Sequence, residues 1–331
     1  MTRSSTASVD ADRPTSPGSR QARPPGAPDG LTAAYARSSA AMALVGASFT
    51  ASAALADFPV FGGQAVRYAV AALCLLAVMR WRRVALVLPS PRQAGRLLAL
   101  AATGLTGFSA FVVLATRHAE PSLVGAVVGA TPVVLAATQA VRERRLAPRT
   151  LAAAVVVTAG VALVEGVGSA DPLGLLLAVG ALACEAAFSL LAVPLLPTLG
   201  PLRVSAYACV AAVPQLLLLG LLVPGPLLAV PGGGELAALV YLSVVVTAVA
   251  FLLWYTGLAR VGPARAGLFA GLMPVAALVT SLALGVENPT VHGVAGAVVV
   301  ASGLVLGLSS RRRTTPANHA DEPRRRTRVT A

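Results

Sequence analysis

Two stretches of the sequence decide the fold: PSLVGAVVGATPVVLAAT at residues 121–138 and PARAGLFAGLMPVAALVT at residues 263–280. A shift of 142 residues places the first stretch on the second. The matching pairs are Pro121 with Pro263, Gly125 with Gly267, Gly129 with Gly271, Pro132 with Pro274, Val133 with Val275 and Thr138 with Thr280. So many matches in two short apolar stretches favour an internal duplication.

The rest of the chain is as apolar as these stretches. Of its 331 residues, 56% are hydrophobic and 12% are charged, and the mean hydropathy is +0.77. A soluble protein has too little interior to bury so many apolar residues, so we predict an all-α integral membrane protein. Ten segments have about the 20 residues that a helix needs to cross the hydrocarbon core. They lie at about 38–56, 59–79, 95–116, 119–140, 150–168, 173–194, 204–224, 236–258, 263–285 and 291–309.

The ten segments divide into two predicted repeats, at residues 38–168 and 173–309. Five is an odd number, so the two repeats must enter the membrane from opposite sides and form an inverted repeat. Carriers that work by alternating access commonly have this architecture, with a binding site near the bilayer midplane. The flanking residues 1–33 and 310–331 are rich in Arg and poor in apolar residues, and we expect two disordered tails.

The basic residues predict how the chain crosses the membrane. All 26 are Arg, and with the N-terminus inside, 24 of them fall on the inner side. Arg67 lies within a span and Arg117 lies outside. Because cytoplasmic segments carry an excess of basic residues, both termini are predicted to be cytoplasmic in a multi-pass protein of the cell membrane. The net charge of +13 comes from these clusters, so we expect no nucleic-acid partner.

The residue inventory gives little support to an enzyme. The chain has no Lys, which excludes a Walker A phosphate loop and Schiff-base catalysis. Neither a metal-ligand spacing of His or Cys nor a G-x-S-x-G elbow occurs, so we expect no metal and no cofactor. An integral membrane enzyme acting on a lipid or intramembrane substrate is the alternative hypothesis, and a scaffold or channel-like protein is a third.

A family resemblance rests on three segments. They are FGGQAVRY at residues 61–68, the run Pro274-Val275-Ala276 followed by Glu287, and the glycine-rich last segment. With these the chain resembles the EamA family of the drug/metabolite transporter superfamily over about residues 38–309. The resemblance implies two five-helix repeats and secondary transport, with export favoured, of a small metabolite or drug-like compound.

Two charged residues fall deep inside predicted spans. Arg67 lies about 12 Å from the outer end of its helix, and Glu185 lies about 18 Å into the sixth helix. A charge at the centre of a membrane helix costs about 2.5–3.5 kcal/mol on insertion scales, so both residues are candidates for substrate binding or coupling. Arg67 alternatively bonds backbone carbonyls as a scaffold residue. Glu185 either carries a proton or cation, or neutralises Arg67.

The remaining candidates are polar, aromatic or proline residues within the spans. Gln64 precedes Arg67 by three residues and shares its helix face. Trp254 and Tyr255 are predicted either to contact a ligand or to lie in an interfacial belt. Pro132 and Pro274 are predicted to break their helices. The expected partners are a small-molecule substrate, membrane lipid and protons.

Overall fold

The computed structural model describes residues 28–145, 147–166, 168–285 and 290–309. Within these ranges the regular structure is helical, and no β-strand is present. The two predicted tails lie outside the described residues except for residues 28–33, which are helical. Glu287 also lies outside them.

Ten helices follow one another along the chain: α1 Pro28–Ala53, α2 Val60–Trp81, α3 Pro91–Ala115, α4 Pro121–Glu143, α5 Pro148–Glu165, α6 Pro172–Ala192, α7 Leu196–Leu222, α8 Gly233–Val261, α9 Pro263–Ala283 and α10 Val291–Leu308. Among the described residues, nine of these helices, α2 to α10, are long and apolar enough to cross a membrane. The prediction of an all-helical, multi-pass membrane protein is therefore confirmed.

Helix α1 begins earlier than its predicted span, and its composition differs from that of the other nine helices. It begins about ten residues before the predicted first span, because Pro28 fits the first turn of a helix and the residues that follow include many good helix formers. Asp29, Arg37 and several Ser and Thr residues make its sequence less apolar. Its 26 residues are nevertheless about 39 Å long. The tenth crossing therefore stays a prediction.

Helix α7 also begins earlier than its predicted span. It has a kink at Gly200, where φ is 75° and the backbone is not helical. Glycine tolerates this conformation because it has no Cβ, and Pro201 then starts the second part of the helix. This second part contains most of the span that the sequence predicts.

The irregular turns repeat along the chain with the same 142-residue shift. Helix α3 widens to a π-helical segment over Ala101–Gly107, and α8 does so over Leu242–Val249. Helix α4 is interrupted after Val128, and α9 contains a 3₁₀ turn over Phe269–Gly271. Each pair of irregularities nearly coincides after the shift, which supports the duplication over more of the chain than the two opening stretches.

Helix contacts occur in equivalent pairs. Helix α1 packs against α8 and α9, and α6, its counterpart in the second half, packs against α3 and α4. Helices α2 and α7 pack against each other, as do α5 and α10. This reciprocity is expected of an internal twofold axis. The first helix of each half therefore packs with the other half, so the predicted repeats are not separate packing units.

Candidate functional site

Arg67 connects the two halves of the chain through a buried threonine. Its Nε donates a 2.7 Å hydrogen bond to Oγ1 of Thr247, which lies in the π-helical segment of α8. The Thr247 hydroxyl donates in turn to the carbonyl of Leu242 at 2.9 Å. The Arg67 guanidinium also lies 5.5 Å from the centroid of the Tyr68 ring. The charge is thus held by a hydroxyl and an aromatic face.

Gln64 lies one turn before Arg67, as its spacing predicts. Its Oε1 is 3.5 Å from Nη1 of Arg67, at the outer limit of a hydrogen bond. Gln64 and Arg67 both line a cavity of about 120 Å³, together with residues of α8 that include Leu242. Gln64 and Arg67 therefore face a space between the two halves.

A second cavity, of about 310 Å³, lies at the opposite end of α8. Val261 lines it together with Gln139, Glu143 and Arg265 from the neighbouring ends of α4 and α9. Gln139 Oε1 accepts a 2.9 Å hydrogen bond from the backbone N–H of Ala264. The two cavities are therefore separated by the middle of α8.

The middle of α8 contributes to an aromatic cluster, which we define as Tyr68, Phe188, Phe251 and Tyr255. The Phe188 ring centroid lies 5.1 Å from that of Phe251 and 5.2 Å from that of Tyr255. The centroids of Tyr68 and Phe251 are 6.5 Å apart. These distances are typical of interacting aromatic pairs. The cluster joins α2, α6 and α8 between the two cavities.

Glu185 lies on α6 beside this cluster. It is half-buried, whereas Cys184 and Ala186 on either side are buried. Its carboxyl group interacts electrostatically with the phenol groups of Tyr68 and Tyr255. Glu185 therefore lies near the junction of α2, α6 and α8.

Arg67 and Glu185 do not pair directly. Both residues are described, and no nitrogen of one lies within 4.0 Å of an oxygen of the other. Arg67 is instead turned toward Thr247 and Gln64. The Tyr68 side chain interacts with both charged residues. The two candidate charges thus share the neighbour Tyr68 without forming an ion pair with each other.

Trp254 and Tyr255 lie inside the helix bundle. Trp254 is 4% exposed and Tyr255 is 0% exposed, so neither belongs to an interfacial belt. The indole Nε1 of Trp254 and the hydroxyl of Tyr255 have no hydrogen-bond partner in the described part of the chain. Buried donors are usually satisfied, so each such group calls for a physical explanation.

Pro132 and Pro274 follow the interruptions of α4 and α9. Both are buried. The interruptions pack against α5: a Cβ on Gly129 or on Gly271 would clash with a valine of that helix. Proline explains the loss of regular helix because it lacks an N–H and its ring opposes the preceding turn. These contacts are apolar packing contacts, away from the aromatic cluster.

Comparisons with known proteins agree with this helical, membrane-spanning architecture. Residues 172–309 match the profile of the EamA-like transporter family. The matched residues correspond to the second of the two predicted repeats. An uncharacterized transporter of Bacillus subtilis strain 168, YetK, is 26% identical over 259 residues, which cover 75% of this chain and 78% of that protein. The predicted resemblance is confirmed, and the protein is a membrane transporter of the drug/metabolite type.

The fold of this EamA-like transporter also occurs in a solved crystal structure. That structure is 21% identical in sequence and superposes with a TM-score of 0.75. The match covers 84% of this chain and 98% of the other. At this identity the likeness concerns the fold alone.

Outside the spans, two loops of the transporter contact each other. His118 Nδ1 lies 3.0 Å from Oδ2 of Asp171, and Asp171 Oδ1 accepts a 2.7 Å hydrogen bond from the N–H of Gly174. An isolated bridge joins Ala119 to Ala170, and Ser169 donates to Glu120 at 2.8 Å. The N–H of Gly174, and then His118, hold the pKa of Asp171 below its ordinary range. This contact fixes the start of α6 against the loop before α4.

Sequence reasoning missed four residues of the site: Tyr68, which appeared only as part of the FGGQAVRY segment, and Phe188, Phe251 and Thr247. Phe188 follows Glu185 by three residues, and Phe251 precedes Tyr255 by four, so helical spacing could have placed each pair on one face. Thr247 gave no signal, because it follows a run of three valines and becomes important only through the π-helical turn. Across the described residues, no group of three His, Cys, Asp or Glu side chains could hold a metal ion.

Proposed function

We propose that this protein is a secondary-active transporter that moves a small metabolite or drug-like compound out of the cell by alternating access. The observation that carries the proposal is the position of Glu185. Its carboxyl group is near enough to the phenol groups of Tyr68 and Tyr255, from the two halves of the chain, to interact with them electrostatically, and it has no cationic partner within 4.0 Å among the described side chains. A carboxyl group in such a place becomes neutral by binding a proton or another cation.

The two cavities support a path with access from both sides. Leu242 lines one cavity, Val261 lines the other, and Phe251 and Tyr255 lie between them along α8. In the structure the aromatic rings touch one another, so the middle of the path is closed. Movement of α6 relative to α8 would separate Phe188 from Phe251 and Tyr255 and open the site to one side.

The reciprocal helix contacts support the mechanism of that movement. Helix α1 packs with α8 and α9, and α6 packs with α3 and α4, so the chain forms two equivalent groups of helices. Two equivalent groups can exchange their conformations, which is how inverted repeats open alternately to each side. We therefore propose an inverted arrangement with ten crossings, in which α1 is the tenth.

The energy source we propose is an ion gradient or exchange of substrates. The chain has no Lys and hence no Walker A phosphate loop. Glu185 would couple substrate movement to proton movement. If its carboxyl group must be neutralised before the site can open to the other side, the transporter changes conformation only with a proton or a substrate bound. We place the protein in the cell membrane with both termini cytoplasmic, on the distribution of Arg.

Metabolite profiling of whole cells tests this proposal. Cells that lack the protein, overproduce it, or overproduce Glu185→Gln would be compared for solutes inside and outside. We expect at least one solute to accumulate in the medium with the wild-type protein only. Glu235→Gln is the matched control, because Gln also fits the capping box at the start of α8. Identical profiles in all strains under every growth condition used would contradict the proposal.

A further inference from the structure

We propose that the cavity of about 310 Å³ at the junction of α8 and α9 binds a phosphate group between Arg145 and Arg265. We name this cavity the inner cavity, because it lies at the predicted cytoplasmic end of the bundle. The inference goes beyond the proposed transport function and does not depend on it. It follows from the depth of the cavity, the charges that line it and the partners that those charges have.

The inner cavity lies where four helices begin or end. Helix α4 ends at Glu143 and α5 begins at Pro148, while α8 ends at Val261 and α9 begins at Pro263. All four are long and apolar enough to cross a membrane. The ends of such helices lie near the lipid headgroups, because the hydrocarbon core is only about 30 Å thick. At this depth a phosphate group comes either from a lipid headgroup or from a soluble compound.

Two arginines from different halves of the chain line the inner cavity. Arg145 lies between α4 and α5, and Arg265 lies in the first turn of α9. Neither guanidinium has a hydrogen-bond or ion-pair partner among the residues that the structure describes. Both groups therefore have N–H donors available for a ligand.

The carboxyl group in the lining already has a partner. Glu143 Oε1 accepts a 2.7 Å hydrogen bond from Nε2 of Gln139. Gln139 Oε1 in turn accepts a 2.9 Å hydrogen bond from the backbone N–H of Ala264, so this amide joins the end of α4 to the start of α9. With two arginines and one glutamate, the lining has a net charge of +1. An anion is therefore the ligand that this charge favours.

A phosphate group suits this lining for two reasons. A guanidinium presents its donors in a planar fork that matches phosphate oxygens, and one phosphate has enough oxygens to accept from both arginines. Basic pockets between membrane helices on the cytoplasmic side are also known to bind anionic headgroups. Thr150 adds a hydroxyl group to the lining, and Ala136, Ala147 and Leu151 add apolar surface for the rest of a lipid or ester.

A phosphate held by both arginines would link the two halves of the chain. Arg145 belongs to the first half and Arg265 to the second. The helix ends around the inner cavity must keep their present spacing for both guanidinium groups to contact one ligand. Occupation of the inner cavity therefore stabilises the conformation that the structure shows.

Thermal unfolding of the purified full-length chain in a non-ionic detergent tests the proposal. The ligands are phosphatidylglycerol, dioleoylglycerol as its counterpart without phosphate, phenyl phosphate, and methyl phenyl sulfone as the neutral counterpart of that ester. A ligand that binds the folded state raises the unfolding temperature as its concentration increases. We expect a phosphate compound to do so and its counterpart not to. A rise with phosphatidylglycerol alone assigns the site to a lipid headgroup, and a rise with phenyl phosphate alone assigns it to a soluble compound.

Four variants show whether the phosphate binds in the inner cavity. Arg145→Gln and Arg265→Gln should each weaken binding by about 5-fold or more, as expected for one basic residue beside an anionic group. Glu143→Gln should strengthen binding, because Gln can still accept from Gln139 but carries no negative charge. Arg260→Gln is the matched control, since Arg260 lies near the end of α8 and does not line the cavity. At physiological salt it should change binding by less than about 2-fold.

Several results would overturn the proposal. One is an unfolding temperature that each phosphate compound raises no more than its counterpart does. Others are unchanged binding in both Arg145→Gln and Arg265→Gln, equal weakening in Arg260→Gln, or weaker binding in Glu143→Gln. Each variant without ligand provides its own reference, so a loss of stability is not mistaken for a loss of binding. Because no transport is measured, failure of this proposal leaves the proposed transport function standing.

Discussion

The Arg67 guanidinium and the Thr247 hydroxyl form a 2.7 Å hydrogen bond between α2 of the first half and the π-helical segment of α8 in the second. This bond is possible because the π-helical turn displaces the backbone register of α8 and exposes the Thr247 hydroxyl to α2. The charge of Arg67, which the sequence places at a costly depth, is thereby satisfied without an acidic partner among the described side chains.

We predict that Arg67 and Thr247 are energetically coupled and that Arg67 and Glu185 are not. Thr247→Val, which keeps the shape of the side chain, should lower the free energy of unfolding by about 1.5–3 kcal/mol, as expected for a hydrogen bond to a charged group. Double-mutant cycles with Arg67→Met, measured by unfolding in mixed micelles, give the coupling. Thr256→Val is the control, because Thr256 bonds the carbonyl of Leu252 in its own helix. Additive effects of Arg67→Met and Thr247→Val would refute the prediction.

The seam between α5 and α10, where Gly160 lies against Gly296 and Val300, should not tolerate a residue larger than glycine. A Cβ on Gly160 would lie 2.7 Å from the backbone nitrogen of Val300 and 2.9 Å from the carbonyl oxygen of Gly296. Gly160→Ala should therefore destabilise the protein by about 1–3 kcal/mol, since backbone atoms cannot move aside without shifting a helix. Gly95→Ala on α3, which would meet no atom within 4 Å, should instead be neutral or stabilising. Equal thermal stability of the two variants would disprove the close packing of this seam.

The loop contact between His118 and Asp171 should weaken only in strong acid. The pKa of Asp171 is lowered, so its ionised form stabilises the folded state above the ordinary aspartate range, and this contribution is lost as pH falls through the lowered value. Asp171→Asn should therefore reduce the thermal stability at pH 7, and this reduction should become smaller as the pH falls below the ordinary aspartate range. Asp57→Asn, on the exposed loop before α2, is the control. A difference in thermal stability between the wild type and Asp171→Asn that grows toward low pH would contradict this prediction.

The predicted topology places Ser90 in the cytoplasm and Gly233 outside. Cysteine substitutions at these positions, in a variant without Cys74, Cys184 and Cys209, can be labelled on intact cells with a membrane-impermeant maleimide. We expect label at position 233 only, because the loops rich in Arg lie inside. Label at position 90 but not at 233 would reverse the topology.

The sequence predicts the fold better than it predicts the site. Long apolar runs and a repeated pattern of Pro and Gly are enough to predict α2 to α10, because lipid allows few alternatives to helices. The start of α1 was harder to predict, since Arg37 and its hydroxyl residues weaken the apolar signal although the helix is long. Its limits depend on packing against α8 and α9, which hydropathy does not report.

Arg67 and Glu185 could be identified as site candidates because each is a charged residue deep inside a predicted span. No sequence pattern could show which residues they contact. The pairing of these two residues, one of the predicted alternatives, is not present, because Arg67 bonds Thr247 instead. Contacts of this kind join residues 180 positions apart and depend on how the halves pack. Tyr255, predicted as a ligand contact or an interfacial residue, is buried for the same reason: α8 packs against both α1 and α2.

Transport measured in sealed vesicles at two pH values tests most directly whether Glu185 couples substrate movement to protons. Purified wild-type protein, Glu185→Gln and Glu235→Gln would be reconstituted without nucleotide, with a labelled solute identified by metabolite profiling. We predict that the wild type and Glu235→Gln respond to an imposed pH gradient, and that Glu185→Gln folds and inserts but does not respond. An unchanged response in Glu185→Gln, or strict dependence on ATP without any partner protein, would contradict this coupling.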